Sequence, residues 1–167
     1  MIHPLVILLL GLFVAASRAI AAGPYGLAAE NRIYAQVLVN QLKSKNPDLI
    51  SVGMHCTPPG SRIQTIIAST LNVIGKPSDS PDIGVGLRGE TIISPNLKIP
   101  KLGIMMPLRD SSGREIGALA LAFKFQARGD QVALLGKATA IRDQVATQIA
   151  SLADLIAVPP EALLKKR

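Results

Sequence analysis

Residues 102–125, LGIMMPLRDSSGREIGALALAFKF, carry the strongest structural signal in this chain. Two apolar runs flank a polar break at residues 110–113 that ends in glycine, which predicts a β-hairpin. In the second run, leucine or phenylalanine alternates with alanine. Successive side chains of a strand point to opposite faces, so this strand has one bulky face and one shallow apolar face. We therefore expect a helix over one face of the sheet and a pocket or loop layer over the other.

Hydrophobic periodicity predicts a helix at each end of the remaining sequence and further strands between them. The first helix spans residues 24–45 and stops at Asn46-Pro47, and Gln36 lies on its polar side. The second begins after the N-cap Asp130 and continues to residue 158. We predict three strands before the hairpin, at residues 49–56, 62–69 and 91–94.

A Gly- and Pro-rich segment, residues 70–89, lies at the centre of the chain. It contains one predicted helical turn at residues 83–87, which Asp82 caps. A segment of this length without regular structure inside a compact domain is usually functional. Together the elements predict an α+β fold, a five-stranded antiparallel sheet with a long N-terminal helix and a long C-terminal helix.

The first 22 residues have the features of a secretory signal peptide. An apolar run at residues 5–16 precedes small residues at 19–22, where cleavage would occur. The run is shorter than the roughly 20 residues that a membrane-spanning helix needs. We therefore predict a cleaved signal and a periplasmic or secreted protein, and an uncleaved membrane anchor is the alternative.

The chain is basic, with 18 Lys+Arg against 11 Asp+Glu and a formal net charge of +7. The charges are scattered apart from a cluster at residues 165–167. Proteins that bind nucleic acid by base stacking need aromatic side chains, and this chain has no Trp, two Tyr and three Phe. We expect no nucleic-acid partner. A solvated basic surface is the main interpretation, and attraction to anionic lipid or to an acidic partner is the alternative.

Two groups of residues carry a pattern that resembles a known family. The first is Ile67-Ala68-Ser69, Asn72, Ile74-Gly75-Lys76-Pro77-Ser78-Asp79 and Asp82; the second is Met106-Pro107-Leu108-Arg109-Asp110, Gly113 and Ile116-Gly117-Ala118-Leu119. Over roughly residues 25–126 the chain resembles the Cache family of extracytoplasmic, PAS-like sensor domains. The resemblance implies a PAS/Cache-like sheet within a ligand-binding domain at residues 23–158, followed by a basic C-terminal tail at 159–167.

The resemblance also has implications for function. Cache domains commonly lie between two membrane helices and signal to an effector module, and neither a second membrane segment nor an effector module is recognisable in this sequence. The resemblance therefore implies a sensor-like protein that binds a small molecule and acts in signal transduction through a separate membrane receptor or signalling protein. A homodimer through the helices is a further possible assembly.

The sequence contains no recognisable catalytic motif of the Gly-x-Ser-x-Gly, His-Glu-x-x-His or phosphate-loop type. On this ground we predict that the chain is not an enzyme and has no cofactor. Met54-His55-Cys56 supplies soft metal ligands, but His55 points away from its two neighbours on a strand. A periplasmic metal- or haem-binding protein is therefore kept as an alternative. Cys56, the single cysteine, is expected to be buried and inert.

Four residues are predicted to bind the ligand: His55, Asp82, Arg88 and Met105. His55 shares a strand face with two small residues and could line a cavity, or it could be half exposed at the strand end. Arg88 follows Gly86 and precedes Gly89, and its planar guanidinium suits a carboxylate, so an organic acid is the first candidate ligand. A solvated Arg88, or one paired with Asp82, is the alternative. A structural or interaction protein of the same fold without a ligand also remains open.

Overall fold

The computed structural model describes residues 33–126 and 129–160 and confirms an α+β architecture with a five-stranded antiparallel sheet. The predicted signal peptide lies outside the described residues, as does most of the basic tail. Within these ranges no helix has the length and apolar character that crossing a membrane requires. In chain order the elements are α1 (Tyr34–Lys45), β1 (Leu49–Cys56), β2 (Thr65–Ser69), α2 (Ser80–Arg88), β3 (Ile92–Asn96), β4 (Lys101–Arg109), β5 (Glu115–Lys124), α3 (Gln131–Ala146) and α4 (Leu152–Ile156).

The strands are arranged in the order β2-β1-β5-β4-β3, and every neighbouring pair is antiparallel. The predicted hairpin is confirmed as β4 and β5, which pair along nearly their whole length. The predicted pairing of β1 with β2 is also confirmed. On its other side β1 pairs with β5, placing Val52 opposite Leu121 and His55 opposite Ala118. The first and last strands therefore meet at the centre of the sheet.

The bulky face of the sheet forms the hydrophobic core. Leu119, Leu121 and Phe123 of β5 are buried there in one cluster with side chains of α1 and α3. Burial of these large apolar side chains is the main stabilising term for a domain of this size. Cys56 belongs to the same cluster, and burial raises the pKa of its thiol to about 12. The thiol is therefore protonated and inaccessible, as predicted.

The opposite face is shallow, as the alternation in β5 predicts. Ala118, Ala120 and Ala122 lie on it beside Gly53 of β1 and Gly103 of β4. Helix α2 packs against β4 and β5. The central segment, predicted to be irregular apart from residues 83–87, therefore contains a nine-residue helix that follows Asp79.

The two terminal helices are shorter than predicted. Ile33 has extended backbone, so the described part of the first helix begins at Tyr34, and residues 24–32 lie outside the described range. The predicted C-terminal helix is interrupted between α3 and α4. At the break, the carbonyl of Ile149 accepts a 2.8 Å hydrogen bond from the Ser111 amide in the β4–β5 turn. Ser151 then caps α4 by accepting from the Asp154 amide. The apolar pattern of the helix continues through the break because Ile149 remains buried.

Gln36 of α1 is buried, which corrects its predicted position on the surface. Its Oε1 accepts a 3.0 Å hydrogen bond from the Ser69 amide, and its Nε2 donates a 3.0 Å hydrogen bond to the Ser69 carbonyl. The carboxamide thus pairs with the end of β2 as a neighbouring strand would. Because Ser69 is itself buried, these backbone groups have little access to water.

We expect Gln36→Ala to lower the free energy of unfolding by about 1–3 kcal/mol, because it leaves buried backbone groups of Ser69 without partners. Urea denaturation midpoints measure the effect. Gln41→Ala, on the same helix, is the matched control and should change stability by less than about 0.5 kcal/mol. Equal effects of the two substitutions would show that the Ser69 hydrogen bonds contribute nothing.

Candidate functional site

A cavity of ≈ 580 Å³ lies on the shallow face of the sheet. Its floor is made of small residues, including Gly53, Gly103 and Ala120, and residues 71–82 supply part of its wall. Its volume lies within the roughly 300–1,000 Å³ of typical small-molecule sites. The shallow strand face therefore borders space that a ligand could occupy, rather than a second packed layer.

His55 is held inside this cavity by polar groups from the segment before α2. It is only 5% exposed, and its Nδ1 lies 2.9 Å from Ser78 Oγ and 3.6 Å from Asp82 Oδ2. Among the described residues, Nε2 has no hydrogen-bond partner. Gly53 lies beside this nitrogen, since a Cβ at position 53 would be 3.6 Å from Nε2. A larger residue there would narrow the space in front of the ring.

Burial lowers the pKa of His55, and the nearby carboxylates of Asp82 and Asp79 partly oppose this shift. Burial also raises the pKa of Asp82, while its attraction to His55 acts in the opposite direction. His55 is therefore neutral near pH 7. The carboxylate beside Nδ1 favours the tautomer with its proton on Nδ1, which we assign from this arrangement. Nε2 is then a hydrogen-bond acceptor facing the cavity.

Three of the four predicted site residues line this cavity together: His55, Asp82 and Met105. Met105 comes from β4, opposite Ala120 of β5. The predicted shared face of Ser51, Gly53 and His55 is also present, since all three line the cavity.

Arg88, the fourth predicted site residue, does not reach the cavity. Its guanidinium donates hydrogen bonds of 2.6 and 2.9 Å to the carboxylate of Glu90, and its side chain is 61% exposed. An acidic residue two positions along the chain thus pairs with Arg88 at the surface. Sequence reasoning considered Asp82 as its partner and overlooked Glu90. The structure gives no support for an organic acid held by Arg88.

Sequence reasoning also missed three polar residues of the site: Ser78, Asp79 and Lys101. Ser78 orients His55, and Asp79 and Lys101 line the cavity. Lys101 is the first residue of β4 and lies on the same strand face as Gly103 and Met105. The period-two alternation of β4 could have identified it, whereas the positions of Ser78 and Asp79 depend on the path of the loop across the sheet.

A second, slightly larger cavity of ≈ 630 Å³ lies beyond the other side of α2. Exposed apolar side chains, among them Ile63 and Leu87, surround it together with Arg62 and Arg114. It contains no buried titratable side chain comparable with His55. We favour the cavity at His55 as the candidate site because fixed polar groups converge there.

Comparisons with known proteins support the fold. No protein-family model matches the chain, and no curated protein matches it in sequence. Three solved structures are similar. The type II free methionine-R-sulfoxide reductase from Thermoplasma acidophilum has 19% identity and a TM-score of 0.52, with 74% of this chain and 92% of that chain covered. A GAF domain from A. aeolicus, in an inactive state, has 13% identity and a TM-score of 0.50, with 74% and 90% covered.

The third is a putative GAF sensor protein from Burkholderia vietnamiensis, with 14% identity, a TM-score of 0.50, and 72% of this chain and 76% of that chain covered. At these identities the similarity shows the fold alone. The fold is therefore GAF- or PAS-like, which is related to the predicted Cache-like fold, and nothing specific to Cache domains is found.

The prediction that the chain is not an enzyme is wrong. It rested on the absence of familiar motifs, and the similarity to the T. acidophilum reductase shows that this fold also occurs in an enzyme. Two possible chemistries can still be judged from the side chains. The Cys56 thiol is buried with a pKa raised to about 12. Ser78 and Asp82 both approach Nδ1 of His55, so the imidazole does not link them through its two nitrogens as in a hydrolase triad.

We expect the stability of the protein to fall as the pH drops below about 6.5, the ordinary pKa of histidine. Because the pKa of His55 is lowered in the folded protein, the unfolded chain binds the proton more readily. The stability is therefore present above pH 6.5 and is lost as the pH falls towards the folded-state pKa. The raised pKa of Asp82 opposes this loss at lower pH.

Urea midpoints measured between pH 7.5 and 5.5 test this expectation. His55→Gln should give a flatter profile than the unmodified protein, because glutamine does not titrate. Superimposable pH profiles would show that His55 is not a buried neutral group.

Proposed function

We propose that this protein is a sensor-like domain that binds a small molecule in the cavity beside α2. One observation carries the proposal: the buried His55 ring is oriented by Ser78 and leaves Nε2 without a partner at the cavity surface. A buried polar atom without a hydrogen bond is costly. A ligand hydroxyl or ammonium group that donates to Nε2 would satisfy it.

The polar groups of the cavity differ from those expected for a simple organic acid. Asp79 and Asp82 lie near His55 and disfavour an anion at that end. Lys101 is the basic side chain in the cavity wall, at the other end of the sheet face. A carboxylate on the ligand would therefore bind near Lys101, and a donor group would bind near His55.

The signalling part of the proposal depends on α2. Asp82 faces the cavity from this helix, whereas Leu87 near its end is 77% exposed. A ligand that contacts Asp82 would favour one position of α2, and a membrane receptor or signalling protein could detect that position through the exposed apolar residues. This mode of action is the one that the Cache resemblance implies.

We expect a screen of small metabolites to identify a ligand by thermal shift. A ligand at about 100 times its dissociation constant adds about 2.7 kcal/mol to the free energy of unfolding, which raises the melting temperature by several degrees. Ala120→Leu should abolish the shift, because the larger side chain fills the cavity floor. Ala140→Leu, at an exposed position of α3, is the matched control and should retain it. Equal binding by the two variants would place the ligand elsewhere.

Export is a second part of the proposal and follows from residues 1–22. Expressed with its full N-terminal sequence in a Gram-negative host, the protein should be recovered from the periplasm or medium with a mature N-terminus near residue 22 or 23. Intact mass and N-terminal sequencing measure this. A protein that keeps Met1 and remains in the cytoplasm would contradict export without affecting the ligand proposal.

A further inference from the structure

We propose that the ligand is a short peptide of about three residues with free termini. Its amino terminus would bind near Asp82 and Asp79, and its carboxylate would bind near Lys101. This inference rests on the proposed function and specifies the chemical class of its ligand. It follows from the opposite charges at the two ends of the cavity and from the distance between them.

The acidic end of the cavity is suited to an ammonium group. The Asp82 side chain is 22% exposed, and its Oδ2 lies 3.6 Å from Nδ1 of the neutral His55 ring. Asp79 lines the cavity on the same side. No Lys or Arg side chain forms an ion pair with either carboxylate among the described residues. A ligand ammonium would donate to a carboxylate and to Nε2 of His55, both of which are acceptors.

The basic end of the cavity is suited to a carboxylate. Lys101 of β4 lies directly opposite Lys124 of β5. Like charges at opposite positions of a sheet repel each other, and within the described residues neither lysine forms an ion pair. Lys101 is half-buried and lines the cavity, whereas Lys124 is exposed. An anion bound at Lys101 would reduce this repulsion.

The distance between the two ends sets the length of the ligand. His55 lies opposite Ala118 and Lys101 lies opposite Lys124, which is six residues further along β5. At about 3.4 Å per residue the two positions are roughly 20 Å apart. The side chains extend into this gap, so the charged groups lie roughly 10–15 Å apart, a distance that three or four extended residues span at ~3.3–3.6 Å each.

Other small charged ligands fit less well. The charges of a single amino acid are too close together to reach both ends of the cavity. A dicarboxylate would place one anion beside Asp79 and Asp82, and a diamine would place one cation beside Lys101. The small residues of the floor, Gly53, Gly103, Ala120 and Ala122, leave room for an extended backbone along the sheet.

A tripeptide library with free termini tests the proposal by native mass spectrometry of the full mature chain. We expect bound tripeptides, and we expect the N-acetylated and the C-amidated libraries to be retained at least tenfold less. Isothermal titration calorimetry with the tightest tripeptide then tests each end. Lys101→Gln should weaken the free-acid peptide about tenfold or more but leave the affinity for its amide unchanged. Asp82→Asn should do the same for the free amine relative to the acetylated form.

Lys98→Gln, an exposed lysine outside the cavity lining, is the matched control and should not change affinity. Melting temperatures of the unliganded variants confirm that each is folded. Blocked peptides that bind as tightly as free ones would overturn the inference. Binding of a different small molecule, blocked by Ala120→Leu while no tripeptide binds, would also overturn it but leave the proposed function intact. If neither peptides nor metabolites bind, the proposed function fails as well.

Discussion

The pairing of β1 with β5 is the interaction on which the rest of the structure depends. It joins residues far apart in the chain and gives the sheet its central strands, with Val52 opposite Leu121 on the core side. The close approach requires glycine at position 117, since a Cβ there would collide with the carbonyl of His55. The same pairing sets His55 beside Ala118. The core and the candidate site are therefore created by one set of backbone hydrogen bonds.

The two faces of the sheet divide stability and binding between them. Leu119, Leu121 and Phe123 pack under the helices and supply the buried apolar area. The alanines of β5 contribute little area to the other face, and this leaves space for a ligand. A domain of this size can leave one face only partly packed when the opposite face is well packed. The alternation of large and small residues in one strand encodes both properties.

The fold alone does not distinguish a sensor from an enzyme, because it occurs in a reductase and in GAF domains. Function must therefore be argued from side chains in the cavity. His55 is neutral, oriented by Ser78 and flanked by two carboxylates, while Lys101 stands at the far end of the sheet face. These groups favour a ligand that carries both charges, and the buried thiol of Cys56 takes no part in binding it.

Local patterns in the sequence determined the strands, the hairpin, the bulky and shallow faces, the cap at Asp130 and the burial of Cys56. Each depends on residues close together in the chain, where periodicity and turn chemistry act. Tertiary structure alone decided the pairing of β1 with β5, the buried bridge of Gln36 and the break before α4. It also brought Ser78 and Asp82 to His55 and left Arg88 at the surface with Glu90. These features depend on which distant groups meet, and hydrophobic periodicity holds no information about that choice.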